Sequence, residues 1–179
     1  MNFEVLDINK KYSFRTIKGI LSLILLSSVE PNNGRMLYEV SLMLDDKDVT
    51  ATYFENWPHI NFNLNNYNPM SADGNWIYIP KEGDHFLINS QTLDKSILPY
   101  LSFSAATFIG NYFIDNSLIV LSYDEVIQKD LINKTTKKIK KPSNNLSFQS
   151  IQFENNNTAK LMFSDGSQKS VDLDTLEYQ

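Results

Sequence analysis

A chain of 179 residues with 42% hydrophobic content and no cysteine is long enough to bury a core without disulfides. The missing cysteines exclude thiolate catalysis and cysteine-held zinc or iron–sulfur centres, and no cofactor is expected. A net charge of −5 argues against nucleic acid as the main ligand, because phosphate binding needs a basic face.

The first apolar stretch, residues 17–29, resembles neither a signal peptide nor a membrane span. Glu4, Asp7, Lys10, Lys11, Arg15 and Lys18 before and within it are too many and too mixed for a signal n-region, and Glu30-Pro31 replaces a small-residue cleavage site. The stretch is also too short and interrupted to cross a bilayer, so the expected location is cytoplasmic, without membrane contact. Ile17, Ile20, Leu21, Ile24 and Leu25 follow helical spacing, with Arg15, Lys18, Gly19 and Ser22 opposite. A hairpin competes, since residues 21–30 and 35–44 flank the turn sequence Pro31-Asn32-Asn33-Gly34. The alternation of Met36, Tyr38, Val40, Leu42 and Leu44 with more polar neighbours makes the hairpin the preferred reading.

Asp45-Asp46-Lys47-Asp48 is a charged turn, and residues 49–54 are strand-like in composition. Ile60-Asn61-Phe62-Asn63-Leu64 alternates strictly, as a half-buried strand does. After a turn-rich loop over 65–75, strands are predicted at 76–79 and 85–89, then at 107–114, 116–123 and 126–133, then at 146–153, 159–163 and 168–173. Ser164-Asp165-Gly166-Ser167 joins the last pair. Each hairpin ends in a polar run: Ser90-Gln91-Thr92, Lys134-Thr135-Thr136 and Asp174-Thr175.

A loose recurrence runs through these units. Leu44-Asp45, Ile88-Asn89 and Ile132-Asn133 lie 44 residues apart, and Leu173-Asp174 follows 41 later. The expected fold is therefore a single β-rich domain over residues 1–179, built of antiparallel meanders. They would form a twisted sheet, sandwich or open barrel, or blade-like repeats of about 44 residues.

Chemistry-bearing residues are sparse. His59 and His85 lack ligand-type spacing to a third donor, and surface or packing roles are expected for both. There is no phosphate loop, nucleophile elbow or metalloprotease motif, so no enzyme is predicted; an enzyme would need the two imidazoles to converge with a carboxylate. The Lys134, Lys137, Lys138, Lys140 and Lys141 run, without interleaved aromatics, is read as a solvated loop that discourages edge pairing. Asp45, Asp46 and Asp48 form either a plain solvated turn or a patch for a cationic partner. Tyr53, Phe54, Trp57 and Tyr67 lie in or beside the Asn-rich segment 55–75, where they serve as core or as interface anchors.

The whole profile of small size, acidity, absent cysteine and Asn-Lys-Ile richness resembles the immunity proteins of bacterial polymorphic-toxin and contact-dependent growth-inhibition systems. That resemblance implies a non-enzymatic protein that covers the active site of a basic cognate toxin domain, such as a nuclease. The contact surface expected on local charge and aromatic density is Asp45, Asp46, Asp48, Tyr53, Glu55 and Trp57. The alternative is a blade-like β module for protein or carbohydrate binding.

Overall fold

The computed structural model describes residues 11–29, 36–53, 59–60, 67–80, 85–98, 108–155 and 157–179. These residues belong to two compact units, Met1–Ala106 and Thr107–Gln179. Among the described residues, four antiparallel sheets follow one another along the chain, and in each, one short strand of the first sheet apart, strands consecutive in sequence pair.

In the first unit, β1 (Lys11–Thr16), β2 (Gly19–Val29) and β3 (Met36–Leu44) pair in sequence order. Two short strands, β4 (Lys47–Asp48) and β5 (His59–Ile60), pair with different stretches of β3. The apolar stretch is thus a strand and the helical spacing within it is coincidental: Leu21 and Leu23 are buried, while Ile17 and Ile20 are exposed. Residues 50–53 depart from the strand-like reading. Asp48 Oδ1 accepts the Thr50 N–H at 2.8 Å and starts a single helical turn, α1 (Thr50–Tyr53). The second sheet contains β6 (Trp76–Pro80), β7 (His85–Asn89) and β8 (Lys95–Ile97), with Met70 bridging Ile77 beside β6.

In the second unit, β9 (Phe108–Ile114), β10 (Ser117–Ser122), β11 (Glu125–Asp130) and β12 (Thr136–Lys140) form the third sheet. The fourth sheet is β13 (Phe148–Phe153), β14 (Thr158–Phe163), β15 (Gln168–Asp172) and β16 (Glu177–Tyr178). In the third and fourth sheets three strands each lie where the sequence places them, as do β6 and β7 of the second, while residues 61–64 of the strand expected at 60–64 lie outside the described residues. A further strand, β8, β12 or β16, follows each run read as a polar ending. These outer strands are short or lysine-rich, as edge strands tend to be, and so carry little apolar signal.

The turns show why the recurrence is real but offset from the apolar–Asn step. Asn89 Oδ1 accepts the N–H of Gln91 at 2.9 Å and of Thr92 at 3.0 Å. Asp130 Oδ1 does the same for Ile132 and Asn133, and Asp172 Oδ1 for Thr175. The residue four beyond each, Leu93, Lys134 or Leu176, is left-handed with φ of 62°, 60° or 58°. At the neighbouring turn, the carbonyls of Asn75, Asn116 and Asn157 accept the N–H of Ser90, Leu131 and Leu173, each at 2.8 Å. Those three asparagines are spaced 41 residues apart, so the structural period is shorter than the 44-residue step.

In the first sheet the same bond runs from Asp45 N–H to the Ile20 carbonyl at 2.9 Å, but the turn is different. Asp45 and Asp46, with φ of 47° and 64°, form a two-residue connection between Leu44 and Lys47. Positive φ at both central positions matches the turn twist that hairpins favour.

The second unit's core lies between its two sheets. Ile119, Leu121, Val126 and Ile139 from the third sheet meet Phe148, Ala159, Leu161, Phe163 and Val171 from the fourth. Phe148 and Phe163 pack with ring centroids 5.3 Å apart. Burying each such ring stabilises by roughly 1.5–3 kcal/mol. The alternation of β14 explains its one-sided burial: Ala159, Leu161 and Phe163 face the core, and Lys160 and Met162 face away. β10, by contrast, is buried from Leu118 to Ser122 on both faces.

Candidate binding surface

The acidic turn at Asp45–Asp48 is exposed, but its carboxylates hold the local fold. Asp45 Oδ1 accepts the Ile20 N–H at 2.8 Å, Asp46 pairs with Lys11, and Asp48 caps Thr50. Gly19 lies so close that a Cβ there would stand 2.3 Å from Asp45 Oδ2. Glu55 and Trp57 lie outside the described residues, as do Phe54 and the side chains of Tyr53 and His59.

Tyr67 and His85 pack in the interior of the first unit. His85 is fully buried, with Nδ1 2.5 Å from the Tyr78 hydroxyl and its ring stacked on Tyr78 at 5.8 Å. Tyr67, also buried, donates its hydroxyl to the Tyr78 carbonyl at 2.7 Å. Burial pushes both tyrosine hydroxyls well above the ordinary phenol range, because the phenolate would be desolvated. His59 pairs through its backbone with Glu39 in the first sheet. Among the described residues no group of three or more His, Asp or Glu is placed to hold a metal. No helix among them is long and apolar enough to cross a membrane.

The lysine run occupies an edge strand, where the sequence reading expects a loop. The Asp130-capped turn delivers the chain into β12, and Asp130 N–H donates to the Thr135 carbonyl at 3.0 Å to close it. Ile139, buried in the core between the sheets, anchors the strand. The side chains then alternate: Lys137 and Lys141 share the Ile139 side, while Lys138 and Lys140 point to the other.

Some of these lysines already have partners. Lys137 Nζ donates to the Asp174 carbonyl, and Lys141 Nζ lies 2.5 Å from Asp124. Lys138 Nζ is 3.9 Å from Oε2 of the largely buried Glu125, whose Oε1 has no hydrogen-bond partner. Lys134 and Lys140 form no ion pair among the described residues. Lys129 Nζ donates to the Lys134 carbonyl and sits 3.2 Å from Thr136 Oγ1; burial pushes its ammonium below the ordinary lysine range. A strip of exposed positive charge therefore borders an acidic protein. Beside it, Ile132 is 65% exposed at the tip of the β11–β12 turn.

No family model matches the chain, and no curated protein does. Solved structures similar to it include the extracellular domain of a one-component system from B. thetaiotaomicron, at 13% identity and a TM-score of 0.46. BamB from Moraxella catarrhalis is similar at 9% identity and a TM-score of 0.44, and the WD40 β-propeller domain of Doa1 at 11% and 0.43. The alignments cover 96%, 91% and 96% of this chain, but only 29%, 61% and 64% of those chains. This chain thus spans less than two thirds of the length of each.

Proposed function

We propose that this chain is a non-catalytic, blade-like β module that binds another protein, with the lysine-bearing edge of the third sheet as its contact surface. The observation that carries this reading is β12 itself, an exposed edge strand on which, among the described residues, Lys140 forms no ion pair and Lys138 holds only a 3.9 Å contact with Glu125. Positive charge along such an edge steers an acidic partner and speeds encounter.

The test is affinity capture with the wild-type chain beside a Lys134→Glu, Lys138→Glu, Lys140→Glu variant. A partner retained by the first and released by the second supports the reading. The same partners on both chains overturn it.

A second reading, neutralisation of a cognate basic toxin, draws on the exposed Asp45, Asp46 and Asp48. Asp46 offers the cleanest probe, since its carboxylate is held only by the side chain of Lys11 among the described residues. If the acidic turn steers a basic toxin, Asp46→Lys slows association with that toxin. An unchanged association rate removes the turn from the interface.

A further inference from the structure

We propose that β12 accepts an acidic, extended peptide segment as a fifth strand of the third sheet, with carboxylates at alternate positions set against Lys138 and Lys140. This deepens the protein-binding reading and rests on it.

The backbone pattern comes first. Lys141 N–H donates to the Asp124 carbonyl at 3.0 Å, and Asp130 N–H to the Thr135 carbonyl at 3.0 Å. With the register Glu125↔Lys140, Val126↔Ile139, Ile127↔Lys138, Gln128↔Lys137 and Lys129↔Thr136, the odd-numbered residues of β12 bond to β11. In an antiparallel pair the alternate residues then turn both backbone groups away from the partner strand. Those residues are Thr136, Lys138 and Lys140, and β12 is the terminal strand of its sheet. The Tyr178 hydroxyl takes the Lys140 carbonyl at 3.1 Å, which closes that end of the edge. The N–H and C=O of Thr136 and Lys138 and the N–H of Lys140 remain directed outward, a short ladder of set register.

The side chains then select the occupant. Residues of an added strand opposite Thr136, Lys138 and Lys140 would project to the same face as those three, with side chains two apart roughly 7 Å from each other. Carboxylates at two successive such positions meet Lys138 and Lys140. Lys140 has no competing ion pair among the described residues, and Lys138 holds only its 3.9 Å contact with Glu125. A second copy of this chain pairing through β12 would set lysine against lysine, which disfavours self-association. A polyanion such as nucleic acid would satisfy the charges but not the backbone ladder.

The experiment is fluorescence anisotropy of a labelled peptide alternating glutamate with threonine or valine, added to the full chain. Three comparisons accompany it: the same composition with the glutamates in one block, the alternating peptide N-methylated at the amides facing β12, and the Lys138→Glu, Lys140→Glu variant. Strand addition predicts that each raises Kd by about tenfold or more. N-methylation leaves the protein untouched, so its effect does not depend on whether the variant folds. Binding of the blocked or the N-methylated peptide as tight as that of the alternating peptide, or equally tight binding of single-stranded DNA, overturns the proposal. Absence of peptide binding also overturns it. The protein-binding reading then stands or falls on the capture comparison alone.

Discussion

The Tyr178 hydroxyl donates to the Lys140 carbonyl over 3.1 Å, joining the outermost strands of the third and fourth sheets. The ring also receives Lys169 Nζ at 5.0 Å from its centroid. Burial pushes the hydroxyl up to about 12, so it remains a donor throughout the neutral range. Tyr178→Phe keeps the ring and removes the bond, which is expected to cost about 0.5–1.5 kcal/mol. A urea unfolding midpoint unchanged from wild type would show that the bond contributes nothing to the join.

The turn aspartates make stability depend on acid. Backbone donation from Asn133 and from Thr175 are the leading causes that hold Asp130 and Asp172 below the ordinary carboxylate range, and the Ser167 side chain does so for Asp165. Carboxyls depressed by folding contribute stability that is fully present above their unfolded values near 4. It is lost as pH falls through their lower folded values. The urea midpoint is therefore expected to drop between pH 5 and pH 2. Asp130→Asn keeps the acceptor without the charge and is expected to flatten that drop; an equally steep profile would exclude Asp130 as a contributor.

Gly19 is fixed by two constraints. Its φ of 132° is one that other residues rarely adopt, and any Cβ collides with the Asp45 carboxylate. Gly19→Ala is expected to destabilise by about 1–3 kcal/mol. Asp45→Gly removes the collision, together with the bond to the Ile20 N–H, but leaves the strained Gly19 backbone, so Gly19→Ala measured against Asp45→Gly alone should cost less than in wild type but not nothing. No cost of Gly19→Ala in the Asp45→Gly background would assign the whole effect to the collision.

The fourth sheet offers a contrast within one meander. Phe148 is fully buried in the core, whereas Met162 lies on the face turned away from it. Phe148→Ala is expected to cost about 3–5 kcal/mol and Met162→Ala less than about 0.5 kcal/mol. Similar losses from both would mean that the outward face is also packed.

Much of this architecture is legible in residue order. Alternation places Ala159, Leu161 and Phe163 on one face of a strand, and Ser164-Asp165-Gly166-Ser167 turns as its composition requires, with Asp165 Oδ1 accepting the Ser167 N–H at 2.9 Å. The repeat is visible too, but its cleanest signal is the even spacing of Asn75, Asn116 and Asn157 rather than the apolar–Asn step, because the bonds that recur belong to the turns. The lysine edge is the part most easily misread. A strand that contributes one core residue, Ile139, and otherwise faces water has a loop's composition.

The sequence by itself determines the antiparallel meanders, because period-two burial and turn chemistry act over a few residues. Only the tertiary structure decides which charges are left available. Asp45 is engaged because the fold brings it to an N–H 25 residues away, at Ile20, while Lys140 forms no ion pair among the described residues because no carboxylate there is carried to it. Whether a strand becomes an edge depends on what pairs beyond it, and that pairing is set by contacts distant in the chain.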